Sequence, residues 1–416
     1  MLTLIGNEMK KLFSRKKTWV VVIGFILLLG ILTFALYKEE QNLKKYSSPE
    51  FRIQSMQESI NYNNKKKQEL QDKRNSATST DEDKKAIDRE LTRIDTDIKN
   101  MEENIKGLKD NSGKNIAWKT ELKQQIEARE KAINNEDGSN MPDEYKEREK
   151  ININQMKYFV EHDIEPVQEY KLIGFNFINK VVEFLGMIFL AMGIAIFISD
   201  MVSGECTPPT MKFLITQPVS RGKVLLSKFI AAVVSSVLLI VAIELIYFLF
   251  VGLVFGFGSS NYPVMVGTRF QFDMATVNEQ GIHPLKAIAG STYMIPMWKF
   301  TLEILLMQIL FIVACVSFIF LISTLFKSSM VSMGVGSIIM IILFVIINQL
   351  RPLGKIVPYL FTTYGNVVGV LKGDELALRF QNPALTASFS IPVMIIWAIV
   401  CYVISHFVFT KKDILI

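Results

Sequence analysis

The chain has 416 residues, of which 50% are hydrophobic and 21% charged, with a formal net charge of +6. Residues 38–171 hold 26 Lys or Arg and 29 Asp or Glu, whereas the rest of the chain holds only 20 and 11. This division excludes a single soluble globular domain. It also argues against nucleic-acid binding, because the excess positive charge lies beside long apolar runs rather than on a folded basic face.

The N-terminal segment, residues 1–17, predicts an amphipathic helix that lies in the headgroup layer of a membrane. Its apolar residues recur at helical spacing and its lysines occupy the other face. The simpler alternative is a short basic tail. The apolar run that follows, Thr18 to Leu36, is too long for a typical signal peptide and precedes no Ala-x-Ala cleavage site. We therefore interpret it as a first transmembrane helix.

Six apolar runs approach the roughly 20 residues that a helix needs to cross a bilayer. They are residues 18–36, 181–198, 229–257, 302–326, 330–347 and 391–409. Lys and Arg lie in the two terminal tails and in the loops that follow spans two and four. By the positive-inside rule both termini are cytoplasmic, and residues 38–180 are extracellular. The sequence predicts an all-α, multi-pass protein of the plasma membrane with six transmembrane helices.

The charged segment, residues 38–180, predicts a helical module inserted between spans one and two. Its clearest feature is a heptad seam with alternating spacings of four and three, formed by Ile87, Leu91, Ile94, Ile98, Met101, Ile105 and Leu108. We favour antiparallel helices that pack on each other within the chain, and the alternative is a seam that binds a partner or a second copy. The chain thus divides into residues 1–37, 38–180 and 181–416.

No motif for nucleotide or metal chemistry occurs in the sequence. The phosphate loop G-x-x-x-x-G-K-[ST] is missing, and no cysteine accompanies the three widely separated histidines in a metal-binding spacing. We expect no catalytic residue, no metal site and no cofactor. Energy for uphill transport then has to come from a partner or from an ion gradient.

One carboxylate falls in the middle of an apolar run. Glu244 lies at the centre of the third span, where an ionised side chain costs about 3 kcal/mol. Tyr247 is one turn further on the same face and is in position to hydrogen-bond it. The pair is either part of a translocation path or a structural carboxyl, protonated or paired with another helix. The sequence leaves these two interpretations equal.

The loop between spans two and three, residues 199–228, predicts a short helix with an exposed apolar surface. Thr207 is a suitable N-cap, the following prolines fit a first helical turn, and Pro218 ends the helix. A helix of this kind, held between two spans, suits docking to a cytoplasmic protein. The alternative is a helix that lies flat on the membrane.

This loop resembles that of ABC type-2 permeases, the membrane subunits of ATP-driven exporters. The residues that carry the resemblance are Glu205, Thr210, Phe213, Leu214, Pro218, Ser220, Arg221 and Lys228. Residues 206–209 depart from the family, which more often has a glycine just before the threonine. The resemblance covers about residues 1–37 and 181–416 and leaves the insertion outside. It also includes short apolar helices between spans five and six, around residues 356–371.

The resemblance implies that the loop contacts a separate ABC ATPase subunit. The contact residues it implies are Glu205, Thr210, Met211, Phe213, Leu214, Pro218, Ser220 and Arg221. It further implies that two six-span subunits, identical or related, form one transporter in the lipid bilayer.

Three functional hypotheses follow. The leading one is a permease, not itself an enzyme, that exports an amphiphilic substrate such as a peptide antibiotic, a drug or a lipid-like molecule. The second is a non-transporting surface protein whose insertion binds a partner. The third is an ion-coupled carrier that uses Glu244. The substrate and the direction of transport stay open at this point.

Overall fold

The computed structural model describes residues 1–75, 81–111, 118–134, 143–206, 219–277, 281, 283–349 and 355–411. Most of these residues are helical, in agreement with the all-α prediction. The helices are α1 (Leu2–Phe13), α2 (Lys16–Ser47), α3 (Pro49–Asn75), α4 (Asp81–Asn111), α5 (Trp118–Asn134), α6 (Asp143–Glu161), α7 (Gly174–Phe184), α8 (Leu190–Ile198), α9 (Arg221–Phe255), α10 (Met297–Leu325), α11 (Ser329–Gln349), α12 (Val367–Lys372), α13 (Glu375–Phe380) and α14 (Ala387–Lys411).

Five helical segments in the described ranges are long and apolar enough to cross a membrane. They are Lys16–Tyr46, Gly174–Glu205, Arg221–Phe255, Met297–Leu325 and Ala387–Lys411. The second of them joins α7, a π-helical turn at Leu185–Phe189 and α8, so it begins earlier than the sequence pattern indicated. The predicted fifth span corresponds to α11, which is a shorter apolar helix. A total of six crossings stays a prediction.

The chain divides into two compact units, residues 35–125 and the remainder. In the smaller unit α3 packs against α4, and the ion pairs Lys67–Asp95 and Arg74–Asp88 show that the two helices run antiparallel. Ile94 and Ile105 on the heptad seam are buried, whereas Ile87, Leu91, Ile98 and Met101 are half-buried. The contact with α3 therefore covers part of the seam within the chain, as the hairpin interpretation predicts. The exposed ion pairs mainly select the register, because such pairs add little stability.

In the larger unit α10 is the central helix. It contacts α7, α8, α9, α11 and α14, and 61% of its most apolar window is buried inside the protein. By contrast, only 6% of the corresponding window of α2 is buried. Since lipid is as apolar as a helix surface, exposed apolar residues on α2 are compatible with membrane contact. The protein core therefore lies around α10, with α2 at its edge.

Four short strands follow α9, which the sequence analysis did not predict. β1 (Pro263–Val266) pairs antiparallel with β4 (Tyr293–Pro296), and β2 (Phe270–Phe272) pairs antiparallel with β3 (Leu285–Ala287). The pairs are nested, so together they form one interrupted hairpin. At the interruption the amides of Gly267 and Thr268 donate to the carbonyls of Leu371 and Lys372 at the end of α12. The hairpin is thereby fastened to the segment that precedes α14.

The π-helical turn of the second span meets a short 3-10 segment, Phe361–Gly365, that follows α11. The contact needs two glycines, because a Cβ added to Gly186 would lie 1.8 Å from the carbonyl oxygen of Gly365, and one added to Gly365 would lie 2.0 Å from that of Gly186. The short helices predicted around residues 356–371 are present and lie in this region. Backbone therefore touches backbone where two irregular segments cross.

We predict that Gly186→Ala lowers the free energy of unfolding by about 3 kcal/mol, because the backbones must separate to admit the methyl group. Thermal unfolding of the purified protein in detergent measures this as a lower midpoint. Gly193→Ala, in the same span, is the matched control, since no atom lies within 4 Å of its added Cβ. Equal midpoints for the two variants would contradict the prediction.

Candidate functional site: a buried charge cluster at one end of the helices

The N-terminal helix α1 packs against the first turns of α9. Leu12 is 1% exposed, which gives the amphipathic helix a protein contact on its apolar side. The turn from α1 into α2 is closed by Thr18, whose hydroxyl donates to the carbonyl oxygen of Leu12 at 2.6 Å. The basic residues of α1 and of the turn are thus fixed beside the ends of other helices.

Glu205 lies before the 207–218 segment, and Lys228 lies after it on α9. The two side chains pair with each other. Lys228 Nζ lies 2.9 Å from Glu205 Oε1 and 2.8 Å from Glu8 Oε2 on α1. Lys11, also on α1, donates to Glu205. Glu205 is 1% exposed and Lys228 is fully buried. These four residues, Glu8, Lys11, Glu205 and Lys228, are called the charge cluster below.

The charge cluster is stable only as a set. A buried ion loses several kcal/mol of hydration, and a partner must replace those interactions. Two carboxylates and two ammonium groups leave no net charge to be neutralised. Because Glu8 and Lys11 come from α1, the same requirement holds the N-terminal helix against α9 and the end of the second span.

A second set of ion pairs lies at the end of α8. Asp200 receives Arg15 Nη1 at 3.1 Å and Lys17 Nζ at 2.8 Å. Ser323 of α10 accepts hydrogen bonds from the amides of Val202 and Ser203, at 3.0 and 3.1 Å. The chain after α8 is therefore held by both the α1–α2 turn and α10.

The predicted ATPase-contact residues are only partly described. Thr210, Met211, Phe213, Leu214 and Pro218 lie outside the described residues. Ser220 is the N-cap of α9 and makes no side-chain capping hydrogen bond, and Arg221 is the first residue of that helix. Glu205 is the predicted contact residue with the best-defined surroundings, and it is buried in the charge cluster.

Glu244 is fully buried, but its partner is not the one expected. Gln308 on α10 donates from Nε2 to Glu244 Oε1 at 2.6 Å, and Gln308 is 1% exposed. Tyr247 donates instead to the carbonyl oxygen of Ile26 on α2, at 2.8 Å. The expected Tyr247–Glu244 hydrogen bond was wrong, because the Tyr247 hydroxyl is directed to α2, and Glu244 Oε2 is left without a partner. The two predicted residues therefore join α9 to two different helices.

Glu8, Asp200 and Gln308 were not identified from the sequence. Glu8 carried a signal, because it is the sole acidic residue among the first 38. A lone carboxylate in a basic amphipathic helix indicates a specific partner. Gln308 carried a weaker signal, as a polar side chain inside the apolar run 302–326, and Asp200 gave none, because it lies at a span end where charged residues are common.

The sequence model described as "ABC-2 family transporter protein" matches residues 2–414, so the match runs through the insertion as well as the spans. No curated protein matches the chain.

We predict that Lys228→Met destabilises the protein by roughly 3 kcal/mol, because Glu8 and Glu205 lose a shared partner while they stay buried. Thermal unfolding in detergent is the measurement. Lys223→Met, an exposed lysine on the same helix, is the control and should keep the wild-type midpoint. A wild-type midpoint for Lys228→Met would argue that the charge cluster contributes nothing to folding.

Proposed function

This chain belongs to the ABC-2 family of transporter proteins, and from that premise we propose that it is the permease of an exporter of amphiphilic molecules. As a member of the family it is the membrane component of an ABC transporter, and its partner is a separate ABC ATPase subunit. We propose three things in addition: that transport is outward, that the substrate is amphiphilic, and that particular residues transmit the force. The charge cluster is the observation that carries the proposal.

The arrangement of the helix ends supports an orientation with both termini in the cytoplasm. α9 begins at the charge cluster, and α10 ends beside Val202 and Ser203. α11 starts there too, since Ser332 donates to the carbonyl oxygen of Ser199 at 2.6 Å. The end of α14 returns to this side, because His406 lies against Gly222. Together with the basic residues of the termini, this favours a cytoplasmic charge cluster and an extracellular residue range 38–180.

We propose that force from the ATPase enters through residues 207–218 and reaches the spans through the charge cluster. Glu205 precedes this segment and Lys228 follows it, and they are bonded to each other and to α1. A push on the segment therefore displaces α1, α9 and the second span together rather than one helix alone. Buried pairs resist separation, because each unpaired ion would remain desolvated.

The exposed face of α2 supports a second permease subunit. Val20, Leu27, Ile31 and Phe34 are each more than 60% exposed, although they belong to a span. A span with so few contacts inside its own chain has an apolar surface for lipid and for a second copy or a related chain. Two such subunits would enclose a substrate path between them.

The pairing of Glu244 favours the structural interpretation of this residue. Its hydrogen bond to Gln308 joins α9 to α10 inside the bilayer region, where few other polar partners exist. Such a bond serves helix packing without any transported ion. Transport driven by a partner ATPase is therefore preferred over the ion-coupled carrier. Glu244 and Tyr247 remain candidate residues of the substrate path.

We predict that the double variant Phe213→Glu with Leu214→Glu no longer co-purifies with its ABC ATPase subunit. Two carboxylates would replace the apolar surface that docking needs, and burying them without partners is unfavourable. Pull-down from membranes, with the ATPase tagged, measures the association. Lys223→Glu, a charge reversal on the first turn of α9, is the control and should keep it. Undiminished association of the double variant would argue against the proposed docking segment.

We predict that Glu244→Gln retains at least half of the transport activity, since a glutamine oxygen still accepts the hydrogen bond from Gln308. Glu244→Leu should lower stability by about 2 kcal/mol, because it leaves the buried amide without its partner. Substrate efflux from vesicles and thermal unfolding test the two parts. Loss of efflux in a folded Glu244→Gln protein would instead favour the ion-coupled carrier.

A further inference from the structure

A cavity of about 580 Å³ opens at the end of the helices opposite the charge cluster. Its walls come from α6, the first turns of α7 and α10, the strands β1 to β3, and the α12–α13 region. α9 begins at the charge cluster and runs toward Tyr262 on the cavity wall, so the full length of a span separates the two sites. The volume is in the range of small-molecule and short-peptide sites.

Amide side chains give the cavity free hydrogen-bond acceptors at fixed positions. Gln155 donates to the carbonyl oxygen of Pro263 at 3.1 Å, Asn176 to that of Lys171 at 3.1 Å, and Asn152 to Glu149 at 3.4 Å. In each case the amide nitrogen is the bonded atom. Within the described ranges the side-chain oxygens of Asn152, Gln155 and Asn176 accept no hydrogen bond. Three carbonyl oxygens are thus oriented and available to N–H donors.

Charged side chains of both signs line the same cavity. They are Arg148, Lys180 and Lys372, and Glu169, Glu183 and Asp374. Their charges sum to zero. Arg148, Glu169 and Asp374 face solvent, and Asp374 also caps α13 by accepting from the amide of Glu375 at 2.9 Å. Lys180, Glu183 and Lys372 are half-buried and, among the described residues, make no salt bridge, so they give the cavity fixed charges of both signs, which suits a ligand that carries both.

Apolar side chains form a further part of the wall, which also includes Tyr262, Thr268 and Thr292. Phe270, Met297, Phe300 and Leu378 contribute to it beside the polar groups. A site of this kind binds a ligand that alternates polar and apolar parts. An uncharged oligosaccharide offers neither charge nor aliphatic side chains. An anionic phospholipid headgroup has charge that a neutral wall does not favour, and a zwitterionic headgroup lacks the series of backbone N–H groups that the three amide oxygens would accept.

We propose that this cavity binds a peptide segment from the extracellular side, with its N–H groups on the three free amide oxygens and its charged groups on Lys180, Glu183 and Lys372. The apolar wall accepts the side chains of the peptide. The inference relies on the proposed function only for the extracellular location and for the view that the peptide is the transported molecule or part of it. Binding itself needs neither ATP nor the ATPase subunit.

The test is affinity selection from a pool of random tetrapeptides with free termini, using the full-length protein in lipid nanodiscs. Mass spectrometry identifies the retained sequences, and the best is synthesised for titration. We expect Ala287→Trp, which fills the cavity from a short surface strand, to retain no peptide above empty nanodiscs. Glu183→Gln should weaken the best peptide about tenfold, as loss of one charge-assisted hydrogen bond does. Glu303→Gln, a carboxylate outside the cavity on the same side, should leave affinity within about twofold.

Two results would overturn the proposal. One is the absence of retained peptides with the wild-type protein. The other is equal retention by Glu183→Gln and wild type, with midpoints of thermal unfolding that show both to be folded. Glycerophosphoethanolamine and maltotetraose serve as competitors, and displacement of the peptide by either at equal concentration would assign the cavity to a headgroup or a sugar instead. Peptide binding without association of an ATPase would leave this site intact and refute the proposed function.

Discussion

The structure depends on the burial of Glu205 and Lys228 at one end of the helices. Each ion is too costly to bury alone, so the fold has to bring Glu8 and Lys11 of α1 to the same place. That requirement links three segments that are far apart in sequence. It explains why α1, which the sequence predicts to be a helix on the membrane surface, is also packed firmly against the rest of the protein.

A different constraint governs the interior. Where the π-helical turn crosses the 3-10 segment, Gly186 and Gly365 let two backbones touch, and the polar groups of irregular backbone are enclosed by protein. Non-helical backbone at membrane depth is tolerated only when it is enclosed in this way. Ion pairs thus fix the ends of the spans, whereas close backbone packing fixes this crossing.

The spans, the amphipathic α1 and the α3–α4 hairpin were predictable, because burial against lipid or a neighbouring helix leaves a periodic apolar pattern in the sequence. The nested strands were missed, since strands of three or four residues are too short for a visible alternation. The partner of Glu244 was missed for another reason. Helical spacing shows that Tyr247 shares its face, but it carries no information on Gln308 of another helix. The cavity at the opposite end of the helices likewise joins segments whose proximity no local pattern encodes.

The charge cluster has an electrical consequence. Moving one elementary charge through a membrane potential of 100 mV takes about 2.3 kcal/mol. Glu8, Lys11, Glu205 and Lys228 carry two charges of each sign, so their joint displacement does no net work against that potential. These four charges therefore add no voltage dependence to any displacement that keeps them together.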